Sequence, residues 1–431
     1  MQVLIKNGNL IDPSENINEL RNILVEDGLV VNNNLSSEEA GKAESAGAEV
    51  INAEGLTVMP GLIDLHVHFR DPGFTYKETI ATGSAAAAKG GFTSVCTMPN
   101  TKPAADTAEV IRYQIEEGRK AGLTNVLPIG AITMGQAGTE LVDFKALKDA
   151  GAVAFSEDGK SVMDVLVYRE AMRIAAENGY VIMAHCEDMN LVSGGVMNAG
   201  PKQKELGVKG ISNAVEEIIE ARDIFLSEET GAQLHLCHCS TEASVKLVKM
   251  AKELGLKVTG EVCPHHFALC DDDIPGNDAM WKMNPPLRSR KDMEAVAQGL
   301  CDGIMDVIST DHAPHSDEEK KAGGFEKAPF GIVGLEQSFA LGYTKLVKTG
   351  KMSLSDLVAK MSTNPARVLG TNKGTLKNGS VADITIVNTN ESFVVDPSDF
   401  ASKGTNQPYT GMELTGAVKY TIFGGKVVYK A

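Results

Sequence analysis

Eight short runs rich in branched apolar residues alternate with amphipathic stretches between about residues 57 and 365, which predicts an α/β fold built on a TIM (β/α)8 barrel. Both ends of the chain instead carry β-branched runs separated by turn dipeptides, which predicts a small β-sandwich domain assembled from both termini. Composition agrees: 43% hydrophobic residues, 23% charged residues and 43 glycines in 431 residues suit a soluble globular chain rich in strand-helix turns.

In chain order, "VLIKNGNLID", "NILVEDGLVV" and "AEVINAEGLTV" read as strands, with Asn7-Gly8 and Asp27-Gly28 as hairpin turns. The Ser/Glu/Ala/Gly-rich stretch 36–47 reads as a loop. The barrel strands are read at "VMPGLIDLHVHF", "GFTSVCTMPN", "NVLPIGAIT", "AVAFSED", "YVIMAHCED", "QLHLCHCST", "KVTGEVCPHH" and "MDVISTDHAPH". Segments such as "TAEVIRYQIEEGRKAG", "DVLVYREAMRIAAENG", "SNAVEEIIEARDIFLSEETG" and "ASVKLVKMAKELG" read as helices ending in Gly, the residue that best accepts a left-handed cap. Towards the C-terminus "GSVADITIVN", "ESFVV" and "AVKYTIFGGKVVYKA" return to strands, with Gly424-Gly425 as the last turn. Neither end is large enough for a core of its own, so residues 1–56 and 366–431 are expected to form one composite domain beside a barrel of residues 57–365.

The balance of charge excludes some functions. A formal net charge of -16 and no compact basic run argue against nucleic acid, whose phosphates need clustered Lys and Arg. No apolar run is long enough to span a bilayer, and the start lacks the marks of a secretory leader, so a cytoplasmic protein is expected. The seven cysteines are odd in number and lie mostly in apolar runs, which suits buried reduced thiols; Cys237 and Cys239 lack the second pair that a thiolate zinc site would use.

Chemistry gathers at the strand tips, where barrels of this kind place their sites. The first strand ends in His66, His68 and Arg70, the second in Asn100, the fourth in Asp158, the fifth in His185, the sixth in His238 and the eighth in Asp311 and His315. His66 and His68 share one face of their strand. A lone strand histidine is more often a hydrogen-bonded core residue, but four imidazoles converging with two carboxylates are too many ligands for one tetrahedral zinc and suit a pair of divalent ions.

The series "DLHVHFRDPG", "TMPNT", "FSEDGK", "AHCED", "HLCHCST", "CPHH", "KMNPPLR", "STDHAPH", "PFGIVGLE" and "NPARVLG" runs nearly end to end. With it the chain resembles the dihydroorotases of the amidohydrolase superfamily, in the class with a long chain and an HxHxRDPG opening. The resemblance implies two Zn²⁺ per subunit, one held by His66, His68 and Asp311, the other by His185 and His238, bridged by Asp158 and a hydroxide. It implies that Asp311 is the general acid and base, that Arg70, Asn100 and His315 hold the substrate carboxylate, and that Asn284 and the Phe330-Gly331 backbone meet its ring or ureido portion. The implied reaction is the reversible cyclisation of N-carbamoyl-L-aspartate to dihydroorotate in pyrimidine biosynthesis, with His68 also beside the substrate and with a homodimer or an aspartate transcarbamoylase partner open.

Many relatives bridge their metals with a carboxylated lysine. Asp158 is preferred here over Lys160, which lies beyond the Gly turn, and over Glu157, whose strand parity turns it to the helices. His235, His265, His266 and His312 are read as structural or supporting, and Asp71 either as orienting Arg70 or as a solvated charge. The polar segment 312–330 reads either as a mobile cover over the site or as an inert loop. Two rivals remain. Another cyclic amidohydrolase (dihydropyrimidinase, hydantoinase or allantoinase) is opposed by Arg70 with Asn100 and by Asp158; a non-catalytic subunit supporting aspartate transcarbamoylase is opposed by the complete ligand set.

Overall fold

The computed structural model describes residues 2–431. Eight parallel strands form the barrel: Leu62–Val67, Phe92–Thr97, Asn125–Pro128 continued by Gly130–Ala131, Phe155–Ser156, Val181–Ala184, Gln233–Leu236, Val258–Val262 and Val307–Ile308. The third strand joins two halves: its first part pairs with the second strand and its second part with the fourth. The ring closes between the eighth strand and the first, where the His68 N–H donates to the His312 carbonyl (2.8 Å) and buried Asp64 accepts from the Thr310 N–H (3.2 Å).

Ile63, Cys96, Ile129, Met183, Cys237 and Val307 come from strands all around the ring yet belong to one buried cluster, so they fill the barrel interior. Ala366 and Val368 join that cluster from the helix Asn364–Val368. This helix plugs the N-terminal end of the barrel, where Asn364 donates to the Asp306 carbonyl (2.9 Å). With that end closed, the opposite one is left open for chemistry. The long helices Ala108–Ala121, Val165–Asn178 and Ala214–Thr230 end on left-handed Gly122, Gly179 and Gly231 (φ 65°, 69° and 75°), as their sequence expects. Among the described residues no helix is long and apolar enough to cross a membrane.

The strands of both chain ends share one curled sheet around Val3, Ile5, Ile23, Val58, Ile384 and Ile422. The ends meet where Thr57–Pro60 pairs antiparallel with Ile384–Val394, one residue before the first barrel strand begins. The small sheet therefore sets the position of the strand that carries His66 and His68.

Three local expectations are corrected. Asn7-Gly8 is no hairpin turn: it lies within the strand Gln2–Asp12 as a bulge, with Asn7 at φ 61° and the pairing shifted between Ile5 and Gly8. Asp27-Gly28 does make its turn, at φ 48° and 84°. The stretch 36–47 holds a helix, Ser37–Ser45, because Ser36 and Glu39 form a reciprocal capping box that satisfies its first N–H groups. "ADITIVN" and "ESFVV" are one strand, Ile384–Val394, interrupted by a register shift between Asn388 and Ser392.

Candidate active site

At the open end of the barrel a cavity of about 430 Å³ is lined by His68, Arg70, Asn100, Asp158, His185, His238, Asn284, Asp311, His315, Phe330 and Gly331, among others. His66 is wholly buried just beneath. The residues singled out at the strand tips thus meet in one place, although the first and last are about 250 positions apart in the chain.

Asp158 stands at the centre. Its Oδ1 lies 3.2 Å from His66 Nε2, 3.4 Å from His185 Nδ1 and 3.7 Å from His238 Nε2, while Oδ2 lies 3.5 Å from His68 Nε2. Asp311 Oδ1 is 3.0 Å from His68 Nε2 and 3.6 Å from His66 Nε2. One carboxylate therefore faces all four imidazoles, Oδ1 towards His66, His185 and His238 and Oδ2 towards His68. Lys160 is elsewhere, donating to the Gln136 carbonyl (3.0 Å), and Glu157 turns away to accept from the Ile132 and Thr133 N–H groups (both 3.1 Å).

The donor set fits a cation. His66 Nε2 and Asp158 Oδ1 are buried and make no hydrogen bond among the described residues. The far nitrogen of three rings is held by an acceptor: His66 Nδ1–H by Glu261 (2.9 Å), His68 Nδ1–H by Asn100 Oδ1 (2.9 Å) and His185 Nε2–H by Glu187 (3.0 Å). Each bond holds its ring so that the other nitrogen faces Asp158, where a metal ion would take the place of a proton, the usual arrangement of metal-binding histidines. Ligands about 2.0–2.2 Å from one ion lie about 3.3–3.6 Å from each other in a tetrahedral shell, close to the separations seen here.

Electrostatics points the same way. Burial alone would push Asp311 up, yet its contact with His68 and the nearby imidazoles holds it down at about 2. Burial opposes ionisation of Asp158 as well, and the surrounding histidines reverse that to well below the carboxylate range. Burial would lower His185, but Asp158 and Glu187 raise it to about 10. Asp158 and Asp311 stay charged, and His66 and His185 would exchange a proton for a metal ion.

Backbone conformation is unusual at these positions. Arg70, His238 and Asp311 all have positive φ (60°, 35° and 48°), a region that non-glycine residues enter at a cost and that clusters at functional sites. Gly331, at φ 133°, lies so close to Ala313 that a Cβ there would fall 2.8 Å from its carbonyl oxygen, so only glycine allows this wall.

The expected substrate contacts line the cavity, but several already have protein partners. Asn100 is engaged by both His68 and Asp158, to which its Nδ2 donates (3.2 Å). His315 donates from Nε2 to the Phe330 carbonyl (2.8 Å) and accepts at Nδ1 from Lys77 (3.1 Å). Burial, then Arg70 and Lys77, push its pKa far down, so it is a neutral ring. Arg70 is half-buried, with Nε donating to the Pro314 carbonyl (3.3 Å). Asp71 does neither thing expected of it: it is buried and accepts from the Tyr113 hydroxyl (2.9 Å) and the Ile80 N–H (3.3 Å). His312 contacts Glu78 (3.4 Å) and His235 contacts Glu261 (3.1 Å), both outside the cluster. His265 and His266 are packed side by side in the helix Pro264–Ala268.

Sequence reasoning missed Glu187, Glu261 and Lys77. The signal for Glu261 was present, an acid inside the apolar run "KVTGEVC", and Glu187 is two residues from His185.

A sequence family described as dihydro-orotase-like matches residues 55–244, and one described as an amidohydrolase family matches residues 341–429. The chain is 50% identical to a dihydroorotase of Pelotomaculum thermopropionicum, covering 99% of this chain and 98% of that one. It is 48% identical to a dihydroorotase of Acetivibrio thermocellus, covering 99% of each. Among solved structures it resembles the L-hydantoinase (dihydropyrimidinase) of Arthrobacter aurescens, with TM-score 0.87 and 28% identity over 99% of this chain and 96% of that one. The fold also matches a dihydropyrimidinase of Brevibacillus agri, with TM-score 0.84 and 23% identity over 100% and 95%.

Proposed function

The chain belongs to the dihydroorotase family of the amidohydrolases, and from that membership we propose that it interconverts dihydroorotate and N-carbamoyl-L-aspartate at the cavity described above. The observation that carries the reading is Asp158, ionised and central among four histidines, with Asp311 beside it and Arg70 at the same cavity. His66, His68 and Asp311 would hold one divalent ion, and His185 and His238, 2.9 Å apart at their facing nitrogens, a second, with Asp158 between them; zinc suits the nitrogen and oxygen donors. Such ions, when bound, lower the pKa of water and polarise an amide carbonyl.

The remaining work falls to side chains. Arg70 offers a planar pair of donors to the substrate carboxylate, and neutral His315 beside it shapes that end without adding charge. Asp311 takes a proton from the attacking water and returns it to the ring nitrogen as the C–N bond breaks. In the other direction it takes the proton of the ureido nitrogen as that nitrogen bonds to the carbon of the side-chain carboxyl group, and hands it to the departing hydroxyl, which leaves as water as the C–O bond breaks. With its pKa held near 2, Asp311 is in the base form at neutral pH. All seven cysteines are free, which supports a reducing, cytoplasmic setting, and the reading leaves a second copy or an aspartate transcarbamoylase as proposed partners.

One assay tests this reading. Purified protein, analysed for metal, is offered dihydroorotate, dihydrouracil, hydantoin and allantoin. Turnover of dihydroorotate alone is expected, lost on chelation and in Asp311→Ala. Arg70→Met should raise KM for dihydroorotate about 30- to 100-fold, the scale of a charge-assisted pair. Faster turnover of hydantoin or dihydrouracil would instead favour the hydantoinase-like reading.

A further inference from the structure

The polar segment after the eighth strand folds as two short helices, Asp317–Lys321 and Gly324–Lys327. Lys321 points to solvent and pairs with Asp317, as expected of such a run. Lys320 does not: it is 2% exposed, and its Nζ donates to the carbonyls of Lys282 (3.1 Å), Pro329 (3.1 Å) and Gly331 (2.9 Å). Three carbonyls use all three donors of an ammonium. Burial, then the neighbouring Lys282, push its pKa down to about 7, a penalty it would escape by turning outward. The Gly331 N–H also donates to the Lys282 carbonyl (3.0 Å), and the Phe330 carbonyl accepts from His315 (2.8 Å).

We propose that Lys320 is a positioning residue for substrate binding: its buried ammonium clamps the backbone on both sides of the Phe330–Gly331 peptide and so holds the wall that seats His315 against Arg70. The inference rests on the proposed role of this cavity. It also makes the segment a fastened wall, in which the free swinging of a mobile cover has no part.

Two measurements on Lys320→Met test it. Without substrate, amide hydrogen exchange should quicken at least tenfold within residues 316–331 and stay unchanged in the barrel strands. With dihydroorotate, KM should rise at least tenfold while kcat stays within threefold. Should this variant not fold, Lys320→Gln, which keeps an amide donor, should show the same division at smaller size. An unchanged KM in either folded variant, or exchange that quickens equally throughout the barrel, would overturn the proposal. The exchange experiment needs no substrate and wild-type turnover is measured separately, so failure of the clamp and failure of the functional reading remain distinguishable.

Discussion

Glu261 acts on three groups at once. It accepts from His66 Nδ1–H (2.9 Å), from His235 (3.1 Å) and from the His238 N–H (3.1 Å), so a single carboxylate orients one candidate ligand by its ring and another by its backbone. Burial disfavours its charge, yet His235 and His66 hold it ionised. Glu261→Gln should therefore weaken zinc affinity about 10- to 100-fold, the usual effect of removing an outer partner of a metal-binding histidine. Competition against a chelator measures this, and an unchanged affinity would remove the orienting role. His66 was legible as a candidate ligand from its strand tip; the partner that orients its ring was not, because it lies 195 positions away.

Among elements, the helix Ser37–Ser45 and the bulge at Asn7 show two ways in which composition misleads. Ser, Glu, Ala and Gly together suggest a loop, but Ser36 followed three residues later by Glu39 is a start signal that outweighs composition. Ser36→Ala should cost about 1 kcal/mol. In a chain of this size that lowers the melting temperature by only about 1–2 °C, and no change would mean that packing of Ala40 against Leu4 and Leu35 suffices. Asn7-Gly8 asks only for a left-handed residue, and a bulge meets that demand as well as a turn does. Pairing of Val3–Ile5 with Ile23–Val25 on one side and Gly8–Asp12 with Ile17–Arg21 on the other decides between them.

The whole molecule carries buried acids whose titration sets how stability changes with pH. Asp223, on the helix Ala214–Thr230, is pushed up to about 6 by burial, despite the Arg222 guanidinium at 2.8 Å. Its ordinary value is 3.8, so the folded state holds the extra proton between the two values. Stability from this group is thus fully present below about 4 and lost as pH rises through 6, by about 3 kcal/mol in all. Asp223→Asn should remove this slope, so denaturant unfolding at pH 4, 5, 6 and 7 should show the variant gaining on the wild type as pH rises. A constant difference across that range would mean that Asp223 is ionised throughout.

The residues alone determined the alternation of strands and helices, the glycine caps, the return to strands at both ends and the imidazoles and carboxylates at the strand tips. All of these depend on neighbours a few positions apart, where periodicity and capping chemistry are written directly. Only the tertiary structure decided which ring nitrogens face Asp158, that Glu261 and Glu187 hold those rings, that Asp71 turns to Tyr113, and that Lys320 points inward from a charged run. Those choices rest on contacts between distant segments, where burial strengthens every polar interaction and penalises each unpaired group. Sequence spacing carries no record of them.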